Sequence, residues 1–158
     1  GAARALRIGL GPISFPGYLD RTSLATRVNP EEVRYATLDR WAEPLSQQFL
    51  RTLAEDLGNA AGTTHIVAYP WYPSTALDVA VRVDVLAFET DADGTARLVA
   101  TWTVRNIRTQ TIGASERSVL TEVGRPGDND AGVAALSRLV GELARRIADS
   151  LPSPPAKG

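Results

Sequence analysis

A chain of 158 residues with 44% apolar and 22% charged residues has the size and composition of one ordinary globular domain, not of a disordered segment. Lys and Arg total 17 against 18 Asp and Glu, a net charge of −1 that is too balanced for a general binder of nucleic acid or anionic membranes. Cysteine and methionine are both absent, which removes disulfides, thiol nucleophiles, iron–sulfur clusters and cysteine-ligated zinc.

Leu6, Ile8 and Leu10 alternate with other residues and predict a strand, placed at a sheet edge or strand end by Pro12, which cannot donate to a ladder. Leu24–Val28 and Glu32–Thr37 flank the turn-forming Asn29-Pro30-Glu31 and predict a hairpin. Glu43 and Pro44 suit a helix start, Leu45, Phe49, Leu53 and Leu57 recur every four residues on one stripe, and Gly58-Asn59 supply a left-handed end. His65–Tyr69 reads as a short strand stopped by Pro70 and Pro73.

The strongest β signal follows. Val79, Val81, Val83 and Val85 share one face from Leu77 to Phe88, Asp91-Ala-Asp-Gly94 makes a turn, and Leu98, Ala100, Trp102 and Val104 form the inward face of the next strand. Gln110–Val123 predicts a third antiparallel strand. A last helix spans about Asp130 to Ser150, with Val133, Leu136, Val140, Leu143, Ile147 and Leu151 at spacings of three and four. Residues 1–151 are expected to form a single domain and the proline-rich 152–158 a flexible tail. The expected fold class is α+β, a mostly antiparallel sheet with two amphipathic helices packed on one face.

The inventory of chemistry is thin. His65 is the only histidine, no serine lies in a Gly-x-Ser-x-Gly elbow, and Gly9-Leu-Gly-Pro-Ile-Ser14 lacks the third glycine and following helix of a dinucleotide loop. Asp91-Ala-Asp-Gly94 opens like a calcium loop, but the twelfth position, where a bidentate glutamate belongs, is Trp102. The chain is therefore read as not an enzyme, with no catalytic residue, metal or cofactor. The aromatic residues are the more suggestive group. Phe15, Tyr18, Trp41, Tyr69, Trp71 and Tyr72 fall in loops and at element ends, where a ring can bury its body and keep a polar tip wet. Tyr18, Arg21, Trp41, Trp71 and Tyr72 are the candidate partner-binding residues.

Leu6-Arg-Ile-Gly-Leu-Gly-Pro-Ile-Ser14 and the following Phe15-Pro-Gly-Tyr-Leu-Asp-Arg21 resemble the opening of the PqiC family, the ABC-type transport auxiliary lipoproteins. Ala25-Thr-Arg-Val28 and Leu38-Asp-Arg-Trp-Ala-Glu-Pro-Leu45 match that family's next block in order and spacing, and the remainder to Leu151 agrees more loosely. The resemblance implies a periplasmic domain tethered to the Gram-negative outer membrane by a lipidated cysteine, expected upstream of Gly1. It also implies work with an MCE-domain (PqiB-like) partner in lipid transport and envelope integrity, with homo-oligomerisation and no nucleic acid among the partners. The alternative expectation is a stand-alone periplasmic module that binds a lipid or small apolar ligand in a pocket between helices and sheet.

Overall fold

The computed structural model describes residues 5–19, 23–40 (backbone alone for 23 and 36–40) and 44–154. Seven strands and two helices follow in the order β1 (Ile8–Ser14), β2 (Ser23–Asn29), β3 (Glu32–Arg40), α1 (Leu45–Ala61), β4 (Ile66–Ala68), β5 (Val79–Asp91), β6 (Ala96–Asn106), β7 (Thr111–Glu122) and α2 (Asn129–Asp149). The fold is α+β, as expected, but the sheet is mixed rather than mostly antiparallel. β1 runs parallel to both β4 and β5, and β2 runs parallel to β5, while β2–β3, β5–β6 and β6–β7 are antiparallel. Parallel neighbours need a long crossover, and the α1 segment between β3 and β4 supplies one. Alternating hydrophobicity reports which face is buried and not the direction of the neighbour, so the sequence could not show this.

β5 is the spine. β1 lies beside its first half, from Val79 to Asp84, and β2 lies beside its end, at Thr90 and Asp91, so the two strands follow one another along the same side. β6 and β7 extend the other side. β1 is consequently an interior strand over Ile8–Leu10, and beyond Leu10 it pairs with β5 alone among the described strands. Pro12 sits where the pairing with β5 slips between Leu10 and Ile13, at an irregularity where a missing N–H interrupts no regular ladder.

The core forms where the apolar periods predict it. Val79, Val81, Val83 and Val85 of β5 and Leu98, Ala100, Trp102 and Val104 of β6 are all buried, in one cluster with the helix stripes Leu45, Phe49, Leu53, Leu57 and Leu136, Val140, Leu143, Ile147. Phe15, Phe49 and Phe88 meet edge to face at 5.3–6.3 Å, so Phe15 closes the core rather than standing free. Leu151 packs against the same cluster, whereas residues 155–158 of the expected tail lie outside the described residues.

One helix end differs from expectation. α1 continues through Gly58 and Asn59 to Ala61, and Gly62, at φ 70°, is the left-handed cap whose N–H bonds the Gly58 carbonyl. Gly58 serves another purpose. A Cβ there would lie 2.8 Å from the Thr63 carbonyl oxygen, so its lack of a side chain lets the chain fold back over the helix end. The Asp91–Gly94 turn is a hairpin as expected, with Gly94 donating to the Asp91 carbonyl and Asp93 accepting from the Thr95 amide.

Candidate functional site

The aromatic loop after β4 is built on the first two glycines of β1. Gly9 faces away from the core, and a Cβ there would stand 2.8 Å from the Trp71 ring and 2.7 Å from Leu77. The indole therefore packs against bare backbone, in the space a side chain at Gly9 would take, and is half-buried. Tyr69 meets Trp71 edge to face, ring centres 5.3 Å apart at 90°, and its N–H bonds the Leu10 carbonyl. Gly11 adopts φ 118°, and a Cβ there would press to 2.8 Å against Cβ of Tyr69. Tyr69-Pro70 is a cis peptide, and the Thr75 amide closes the turn onto the Tyr72 carbonyl.

The result is a fixed anchor beside two projecting rings. Tyr72 is 79% exposed and Tyr69 51% exposed, next to the three-residue edge strand β4. Between Tyr69, the irregular stretch Gly11–Ile13 of β1 and the first turn of α1 at Ser46, Gln47 and Leu50 lies an open groove of about 230 Å³. A convex aromatic pair beside a shallow groove and a sheet edge can grip an extended or helical polypeptide. Among the described residues that line the groove, Ser46 is the one with an aliphatic hydroxyl nucleophile, and no carboxylate, histidine or lysine lines it with Ser46.

Tyr18 is placed differently. Its hydroxyl donates to Glu89 Oε1 at 2.6 Å, Arg27 Nε donates to Glu89 Oε2 at 2.8 Å, and the Arg27 guanidinium sits 5.3 Å above the Tyr18 ring. Tyr35 donates to the Tyr18 carbonyl at 2.6 Å. Glu89 is 3% exposed, so this cluster fixes the 15–19 segment to the sheet. Burial, and then the hydrogen bond and negative charge of Glu89, push the Tyr18 phenol up from 10.0 to about 12, against the opposing pull of Arg27.

A phenol whose folded pKa lies above its unfolded value contributes stability that is complete below pH 10.0 and is lost as the pH climbs to about 12. Urea unfolding at stepped alkaline pH should show this loss in the native chain and a flatter profile in Tyr18→Phe. Parallel profiles would remove Tyr18 from the alkaline transition.

Of the five candidate binding residues, the structure joins only Trp71 and Tyr72. Arg21 and Trp41 lie outside the described residues. Tyr18 bonds Glu89 near the end of β5, while Trp71 covers Gly9, which pairs with Ala80 at its start, a separation of roughly 30 Å along the strand. Tyr69 was noted among the aromatic residues of the loop but not among the candidate binding residues, and the groove beside it was not foreseen. The signal was available only in combination, since Gly9 and Gly11 become informative once a ring is known to lie against each. His65, read as structural or exposed, is exposed, and its carbonyl accepts from Ile8 in the ladder.

This fold recurs in solved structures. The chain is similar to a crystal structure of an uncharacterized protein at 18% identity and TM-score 0.78, covering 94% of this chain and 93% of that one. It is also similar to protein XCC0632 from Xanthomonas campestris, at 16% identity and TM-score 0.73, covering 90% and 81%. The PelC dodecamer from Paraburkholderia phytofirmans is more distant, at 14% identity and TM-score 0.53, covering 97% and 96%. Among curated proteins no sequence matches this chain. The family of the ABC-type transport auxiliary lipoprotein component matches residues 1–148, and the chain belongs to that family. The resemblance carried by the opening motifs is thereby borne out.

Proposed function

We propose that the protein is a non-enzymatic subunit of an MCE-type trans-envelope lipid transport system, lipid-anchored at the periplasmic face of the outer membrane. It docks its MCE-domain partner through the aromatic loop, and Trp71 is the anchor of that surface. Its role is positional: it holds the end of the conduit and so supports envelope integrity. The observation that carries this reading is the pairing of a ring locked over Gly9 with Tyr69 and Tyr72 left largely in solvent beside a sheet edge. Preorganised aromatic anchors of this kind carry most of the energy in protein interfaces. Arg21, Trp41 and Tyr18 are proposed as further contributors, Tyr18 through the segment that it fixes. Assembly into a ring of copies fits the same role, and the similarly folded PelC crystallised as a dodecamer.

The pocket-binding alternative has less to support it. Among the described residues, the space between α1, α2 and β5 lined by Leu45, Phe49, Phe88 and Val140 is about 10 Å³, room for one water molecule at most and far too small for an acyl chain. The groove of about 500 Å³ between the helices and β7 is open, and Asp56, Glu122, Arg138, Glu142 and Arg145 line it beside Ser137, Leu139 and Gly141, so five charged side chains would have to be covered by an acyl chain.

The docking surface is tested by the double variant Tyr69→Ser/Tyr72→Ser, measured for affinity to the purified MCE-domain partner. Loss of two exposed rings at an interface centre should weaken binding by about 2–3 kcal/mol, roughly 30- to 150-fold, with little change in melting temperature. Unchanged affinity would remove the aromatic loop from the interface.

A further inference from the structure

The balanced composition conceals a segregation of charge on the sheet. Residues opposed in antiparallel strands share a face, and Val81, Val83, Trp102 and Val104 point into the core. The residues between them face the other way. Arg82 stands opposite Thr103, which stands opposite Ser115; Asp84 stands opposite Thr101, which stands opposite Arg117. Arg105 lies in the adjoining row beside Ile112, and Arg97 lies further along beside Thr121.

Arg82, Arg105 and Arg117 thus share the middle of this face with one accessible carboxylate, Asp84, while Arg97 lies at its far end near Asp91 and the whole chain stands at −1. Asp84 is already committed, accepting from Ser14 at 2.6 Å and lying 3.4 Å from Arg82. Glu89, at the far end of the face, is buried and paired with Arg27. Arg105 bonds the neutral Gln110, and among the described residues Arg117 meets no carboxylate.

The apolar residues of this face sit around the arginines. Leu86, in the β5 bulge, and Val119 are 46% and 49% exposed on one flank, and Ile112 is 66% exposed on the other. No aromatic residue occupies the outward positions of β5, β6 or β7; the ring that adjoins them on this face is Trp71, over Gly9 beside Ala80, and the arginines lie on the other side of it from β4. Guanidiniums spread at strand spacing among hydroxyls, with aliphatic side chains at the margin, match a plane of phosphate headgroups over an acyl boundary.

We propose that the outward face of β5–β7 docks on an anionic lipid surface, with Arg82, Arg105 and Arg117 engaging phosphates and Leu86, Val119 and Ile112 entering the headgroup boundary. Membership of a lipoprotein family puts such a surface within reach. The inference is independent of the partner-docking reading, because it uses none of the aromatic loop. It also qualifies what net charge excludes: a chain near neutrality is no general polyanion binder, yet one face can be.

The test is co-sedimentation of the chain with vesicles of equal parts phosphatidylglycerol and phosphatidylcholine, against vesicles of phosphatidylcholine alone. Binding is expected to the anionic vesicles only and to fall steeply with salt. The triple variant Arg82→Gln/Arg105→Gln/Arg117→Gln should reduce partitioning by about a hundredfold, as three surface cations each contribute roughly a factor of five. The pair Leu86→Ser/Val119→Ser should lower it several-fold with the salt dependence intact. Equal binding to both vesicles, no binding to either, or an unaltered triple variant would overturn the proposal. A fall in particle mass by light scattering in the triple variant, without vesicle binding, would give the face to a second copy instead.

Discussion

Truncating Trp102 to alanine is expected to lower the unfolding free energy by about 4 kcal/mol, the largest loss from any single substitution considered for this chain. Trp102 is the bulkiest of the fully buried side chains, on the inward face of β6 opposite Val83. Its removal leaves a cavity in the single cluster that joins β5, β6 and both helices. It also strands Ser118 Oγ, which accepts the indole N–H at 3.0 Å in a buried bond. Trp102→Phe keeps most of the volume but loses that bond, so about 1–2 kcal/mol is expected. Urea unfolding of the two variants separates the contributions. A loss below about 1 kcal/mol for alanine would mean that the site refills, contrary to a core packed to native density.

Replacing Glu89 with alanine should cost about 2–3 kcal/mol. Its carboxylate is the shared acceptor of Tyr18 and Arg27, and its side chain is only 4% exposed. Alanine leaves a phenol donor and a guanidinium without their partner. Arg27 keeps 28% of its side chain in solvent and can turn toward water, which holds the cost below that of a fully enclosed ion pair. Glu89→Gln preserves an acceptor and should cost less than alanine. Both variants should loosen the 15–19 segment, and hydrogen exchange at Leu19, whose amide bonds the Pro16 carbonyl, reports that directly. Equal stability of Glu89→Ala and the native chain would show the cluster to be incidental.

The fold was largely legible because its apolar periods are clean. Four valines at alternate positions of β5 and leucines four apart on α1 leave one way to bury each element. Parallel pairing was not legible, since the alternation in Leu6, Ile8 and Leu10 is the same beside a parallel or an antiparallel neighbour. Pro12 pointed to an edge or a strand end, and it lies beyond Leu10, where β1 has left β4 and its pairing with β5 is irregular; the interior position of Ile8–Leu10 was not legible. Gly58 resembled a cap for a similar reason: glycine marks either a positive φ or a close approach, and here a carbonyl 2.8 Å from the virtual Cβ decides for the second.

The candidate site was legible in part. Prolines flanking Tyr69-Pro-Trp-Tyr-Pro73 announced a stiff loop that presents rings, and Tyr72 is indeed the most exposed of the described aromatic residues. What the sequence could not show is that Trp71 is held by Gly9, sixty-two positions earlier, or that the hydroxyl of Tyr18 is committed to Glu89 seventy-one positions away. Both depend on strand pairing across β5, a long-range property. The cationic outward face was hidden for the same reason, because Arg82, Arg105 and Arg117 become neighbours only once the register of β5, β6 and β7 is fixed.

The docking role is tested most directly by affinity capture of the full-length, lipidated protein from detergent-solubilised envelope, with identification of what co-purifies. An MCE-domain protein is the expected companion, retained by the native chain and lost from the Tyr69→Ser/Tyr72→Ser variant. Recovery of the lipoprotein without any MCE-domain protein would contradict the account.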